Sequence, residues 1–207
     1  MVRLTPIREF TLTLAVALAI AFGAAQVRAD EIEGWPCKRP YAESLSAETA
    51  WGGTPPKADG DWREDKAVSE LVMYATNPEI NPAHGREAIS EFAPGTGSDR
   101  DASLALAFHG MFEEMNSYYR IIITGIGHFV IKAKILEEAV AENDTSLAAL
   151  PEDATEARRD IRIARMWNFR NMDDAEEEAG FQCRRLTYLE KKLGLLTEQL
   201  RSEMRSN

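Results

Sequence analysis

His109, Met111, Glu113 and Met115 come nearest, by type and spacing, to a constellation that could do chemistry. A histidine and a carboxylate four apart share one helix face and are half of a zinc or copper site. Two methionines a turn apart beside them are soft ligands of the kind that suits copper. The other histidines do not complete the set. His128 lies about 28 Å from His109 along a continuous helix, too far to share an ion. The Glu-x-x-His pairs of di-metal bundles are absent, since residues 106 and 125 are Leu and Gly. Met111 and Met115 also fall on an apolar stripe, where methionine fills gaps in a core. The sequence thus predicts no metal and no cofactor. It keeps a periplasmic copper- or zinc-binding protein, built on these four residues, as an alternative.

Catalytic chemistry finds no other foothold. No Gly-x-Ser-x-Gly elbow and no Gly-rich phosphate loop occurs. The run Asp173-Asp174-Ala175-Glu176-Glu177-Glu178 lacks the turn glycine and alternating ligands of a calcium loop, and reads as a solvated helix face or a site for a basic partner. Arg158, Arg159, Arg162 and Arg165 follow one another on the same helix and could pair with acids such as Glu113 or Glu137 across a hairpin. The expectation is no catalytic residue and no enzyme.

The two cysteines, Cys37 and Cys183, bear on the compartment. Arg3 and Arg8 precede an apolar stretch from Phe10 to Ala25, and Val27-Arg28-Ala29 offers a cleavage site before Asp30. This is the layout of a secretory signal over residues 1–29. The apolar run is short of the roughly 20 residues a spanning helix needs, so cleavage is expected rather than retention as an anchor. In an oxidising compartment an isolated cysteine pair most simply forms one disulfide; a buried free Cys183 or a reactive thiol are the rival readings. Removing residues 1–29 takes away three arginines and one glutamate, which moves the net charge from −10 to −12. Such acidity disfavours nucleic acid and anionic lipid, which bind through basic patches.

The elements that must position these residues are helical. Residues 30–62 form an arm, rich in proline and glycine, that carries Trp35, Trp51 and Trp62. Tryptophans in such a segment dock on a surface and bury it; a tryptophan-lined ligand groove is the sharper alternative. Residues 63–207 form the helical domain. Short helices are expected over 63–76 and from His84 to Ala93. A long helix follows from Asp99 to Glu142, with apolar residues at steps of three and four: Leu104, Phe108, Met111, Met115, Tyr118, Ile122, Ile126, Phe129 and onward. Gly110, Gly125 and Gly127 weaken it, and either admit a close neighbour or mark a kink. Asn143–Leu150 is the expected connection, and Pro151 the first turn of a second long helix reaching Met204. The fold class is all-α: a long antiparallel helical hairpin, two short helices and a Trp/Pro-rich arm.

Two resemblances add to this reading. Glu33-Gly34-Trp35-Pro36-Cys37, Leu45-Ser46 and Ala50-Trp51, followed by long helices with Trp167, Phe169, Cys183 and Tyr188, resemble a family of exported bacterial helical proteins with a Gly-Trp-Pro-Cys arm. That resemblance implies export and layout and no activity. Leu196-Thr197-Glu198-Gln199 is similar to the Leu-Thr-x-x-Gln signature of periplasmic stress-sensing helical-hairpin chaperones, one residue short and in a single copy.

The expected function is therefore an exported, non-catalytic accessory or binding protein that presents a helical surface to a protein partner. A chaperone or stress protein is the further alternative. The long helix is apolar on nearly every side between Ile121 and Ile131, more than one antiparallel neighbour covers. Either the arm and short helices cover the excess, or a second copy does, as a homodimer with Ile123, Ile126 and Val130 at the partner surface.

Overall fold

The computed structural model describes residues 32–205. The expected signal segment, residues 1–29, lies outside them. Helices α1 (Ala47–Trp51), α2 (Lys66–Thr76), α3 (Pro82–Phe92), α4 (Arg100–Ala149) and α5 (Thr155–Arg205) follow in order, with a 3-10 segment at Ala93–Asp99. No strand occurs among the described residues. The all-α hairpin architecture is as the spacing of apolar residues predicts.

Local chemistry sets the ends of the helices. The Asp65 carboxylate accepts from the Val68 amide and starts α2. Asn81 caps α3 with Pro82 in its first turn, so the helix begins two residues before the expected His84. α4 runs past Glu142 to Ala149, and within it Asn143 and Thr145 turn their side chains back onto the carbonyls of Ala139 and Ala141 instead of breaking the helix. The connection is thus shorter and later than expected. Pro151 lies in it, and α5 begins at Thr155. Arg158 closes this turn by donating to the Leu147 and Leu150 carbonyls, which the end of α4 leaves without helical partners.

α4 and α5 form the antiparallel hairpin, and two layers flank it. The α2–α3 pair packs on one side, α2 on α4 and α3 on α5. Lys192, 1% exposed, holds the α2–α3 turn to α5 by donating to the carbonyls of Asn77 (2.5 Å) and Ile80 (2.9 Å). Burial lowers its pKa. The arm lies on the other side of the hairpin. Glu33 pairs with Lys134, the Leu45 amide donates to Asn116, and His109 Nε2 meets the Pro56 carbonyl. The arm then rounds the edge of α4 at Trp62. The Trp62 ring packs over Gly110, where an added Cβ would come within 2.8 Å of it. Gly127 lies similarly beneath Ile32, whereas nothing approaches Gly125.

The core is confined to one half of the hairpin. Leu104, Phe108, Met111, Met115, Tyr119, Ile122 and Ile126 of α4 are buried against Leu186, Leu189, Leu193, Leu196 and Leu200 of α5. Tyr119 takes the fully buried place expected for Tyr118. From Gly127 to Asp174 no residue is buried. Phe129, Ala133, Leu136 and Val140, expected on the core stripe, are only half-buried in a narrow α4–α5 seam.

Candidate functional site

The four candidate metal ligands are held apart by structural duties. Met111 and Met115 are wholly buried in the core. His109 Nε2 lies 2.8 Å from the Pro56 carbonyl oxygen. Glu113 receives Arg63 Nη2 at 2.8 Å and Trp62 Nε1 at 2.9 Å, and these bonds, Arg63 first, hold its carboxyl below the usual range. Among the described residues no three His, Cys, Asp or Glu side chains group so as to hold an ion. The arginine block pairs elsewhere than expected: Arg165 meets Asp144 across the hairpin at 2.5 Å, and Arg158 caps α4.

Cys37 and Cys183 form a disulfide that ties the arm to the middle of α5. Arg39 then pairs with Glu190 one level down and lies 5.4 Å from the centre of the Tyr119 ring. Trp35 donates to the Arg39 carbonyl and meets Tyr41 edge-on, while Trp51 packs on Phe108. The arm's tryptophans therefore serve three separate contacts and line no common groove. The Leu-Thr-x-x-Gln-like residues are equally occupied. Leu196 and Thr197 are buried, and Gln199 bonds Ser90 and accepts from Arg86, which docks α3.

The residues expected at a partner surface are turned inward. Ile123 and Ile126 are buried, and Val130 is half-buried beneath Gly34 of the arm, so all three serve the chain's own packing. The open side of α4 carries Ile121, Ile131 and Ile135 instead, which are 65%, 60% and 59% exposed. Across the seam, α5 presents Ile163, Trp167 and Phe181, all exposed. Ile121, His128 and Ile135 recur every seven residues, as do Trp167, Asp174 and Phe181, so each set lines one helix face.

Gly110, which α2 touches through Val72, stands eleven residues before Ile121, three turns along the same face. The face is therefore the continuation of the side on which α2 and α3 lie. The short helices cover its base and leave its distal half open. His128, Ile131, Lys132, Ile135, Leu136 and Asn171 line a shallow depression there, of about 420 Å³. Large apolar side chains thus stand in water along this side of the helix pair, and Met166 and Phe169 of α5 are exposed as well.

Sequence reasoning marked Ile121–Ile131 as surplus apolar surface but placed its partner residues at Ile123, Ile126 and Val130, and it missed Ile135, Ile163 and Trp167 because it followed the stripe that faces the other long helix. The available signal was a tryptophan off that stripe, on a helix otherwise crowded with charge. No protein-family model, curated protein or solved structure matches the chain, so the geometry of this face is what bears on function.

Proposed function

We propose that this is an exported, non-catalytic accessory protein that docks a protein partner on the distal face of its helical hairpin. The observation that carries the reading is the exposed Ile121–Ile135 and Ile163–Phe181 rows beyond the end of the α2–α3 layer. Solvent-exposed isoleucine and tryptophan at this density lose water favourably only against another apolar surface. Export is supported by the signal-like layout of residues 1–29 and by the disulfide.

Photo-cross-linking in the producing cell tests it. A photoreactive residue at position 135 or 167 should give a discrete adduct, and one at the exposed Glu91 on α3 should not. Equal, diffuse labelling from all three positions would remove the reading. A hairpin chaperone is the second reading, favoured by the same exposed side chains. It predicts suppression of client aggregation that Trp167→Asp abolishes.

A further inference from the structure

We infer that the occupant of the distal face is a second copy of this chain, stacked face to face and antiparallel about a two-fold axis at Ile135. This rests on the reading of that face as a protein-docking surface, and adds the partner and its register.

Two separate observations give the same register. The first is the extent of the open face. On α5 it runs from Thr155, where the helix starts, to Tyr188, where α3 begins to cover it. Its midpoint is Asn171–Met172. Asn171 shares a depression with α4 residues from His128 to Leu136, and Ile135 is the exposed isoleucine of that stretch taken as the level of the axis on α4. Two copies that overlap fully must place the axis there. Each hairpin tip then abuts the partner's α2–α3 turn, and the partner hairpin continues the layer that α2 and α3 begin.

The second is charge. An axis through Ile135 pairs positions on α4 whose numbers lie equally far on either side of 135. Lys132 falls opposite Glu138 and His128 opposite Glu142. On α5 the axis falls at Met172, half a residue from that midpoint, and sets Arg170 opposite Asp174, and Ile163 opposite Phe181. Lys132, Glu138, Arg170 and Asp174 have no ion pair among the described residues. One like pair, Arg159 and Arg185, meets near the end of the overlap, where Arg159 already neighbours Asp160 at 3.6 Å. The same symmetry sets Trp167 opposite the exposed Glu177; nearer the axis, opposite charges flank the Ile135 level, the pattern that fixes register in helical assemblies.

The area is sufficient. About 30 residues of each helix are open, roughly 45 Å by two helix widths of about 10 Å. Stacking buries on the order of 900 Å² per chain, the size of a specific interface. A two-fold that ran parallel to the helices would instead set α4 on α5 and bring the tips together, and position 135 would not meet itself.

Sedimentation equilibrium of the purified, oxidised protein is the test. Wild type should show the mass of two chains at micromolar concentration. Ile135→Asp should give one chain with an unchanged helical spectrum. Arg170→Asp and Asp174→Arg should each raise the dimer dissociation constant by about tenfold or more. An equimolar mixture of these two variants should recover a two-chain mass, because both ion pairs re-form across the heterodimer. A mixture that stays monomeric overturns the antiparallel register. A wild type that remains one chain at hundreds of micromolar overturns self-association. If the adduct at position 135 persists in that case, at a mass other than two chains, the docking reading stands and only the identity of the partner fails.

Discussion

Gly110 and Gly125 are chemically identical and stand on one helix, yet their surroundings assign them opposite values. At Gly110 a Cβ would lie 2.7 Å from Val72 Cγ2 and 2.8 Å from the Trp62 ring. At Gly125 it would meet nothing within 4 Å. Gly110→Ala should therefore lose about 1–3 kcal/mol to overpacking despite alanine's better helix propensity. Gly125→Ala should gain up to about 1 kcal/mol. Urea unfolding of the two variants, read by circular dichroism, checks both signs. Glu113 gives a second contrast. Arg63 and then Trp62 depress its carboxyl pKa below 4.5, so it contributes stability above that value and loses it as pH falls through the folded-state pKa. Glu113→Gln should be less stable than wild type at neutral pH, and the gap should close in acid below pH 4.5. Denaturant midpoints across that range measure it. His109 and Glu113 looked like half a metal site because helix spacing puts them on one face. Spacing within a helix does not say that Pro56, Trp62 and Arg63 arrive there from a segment fifty residues earlier in the chain.

The helices themselves were largely legible, and for a specific reason. The Leu104–Ile126 and Ala175–Leu200 rows repeat at three and four residues, a pattern only a helix can bury on one side. The end of α4 was not legible, because Asn143 and Thr145 resemble loop residues until their side chains are seen bonded four residues back. Nor was the boundary of the core. Phe129, Leu136 and Val140 continue the apolar repeat past Ile126, but the layers that would cover them stop short. Local stability should follow that boundary. Amides between Val130 and Asp174 rest on a two-helix seam with no buried residue and should exchange through local opening. Those between Leu104 and Ile126, and between Leu186 and Leu200, should exchange much more slowly, near the rate of global unfolding. Hydrogen exchange read by mass spectrometry should show the step near Ile126 on α4 and near Ala175 on α5. Uniform protection along both helices under dilute, monomeric conditions would contradict it.

Over the whole molecule the arm and the hairpin are joined by a bond that spans 146 residues of sequence. In the chain-entropy description a cross-link of that span stabilises by roughly 4–5 kcal/mol at most. Reduction should lower the melting temperature by several degrees, and a Cys37→Ser, Cys183→Ser double variant should match the reduced protein. Peptide mapping without reductant should recover the linked Cys37 and Cys183 peptides. The order of synthesis gives this bond a further property. Cys37 is made 146 residues ahead of Cys183, so the first thiol must wait, unpaired, until the chain as far as the middle of α5 is out. During that wait there is no wrong partner within the chain, since Cys37 and Cys183 are its only cysteines. Oxidative maturation therefore calls for an oxidant and no reshuffling. Its one hazard is between chains: two arms that meet while still waiting can join through Cys37 before either fold is closed.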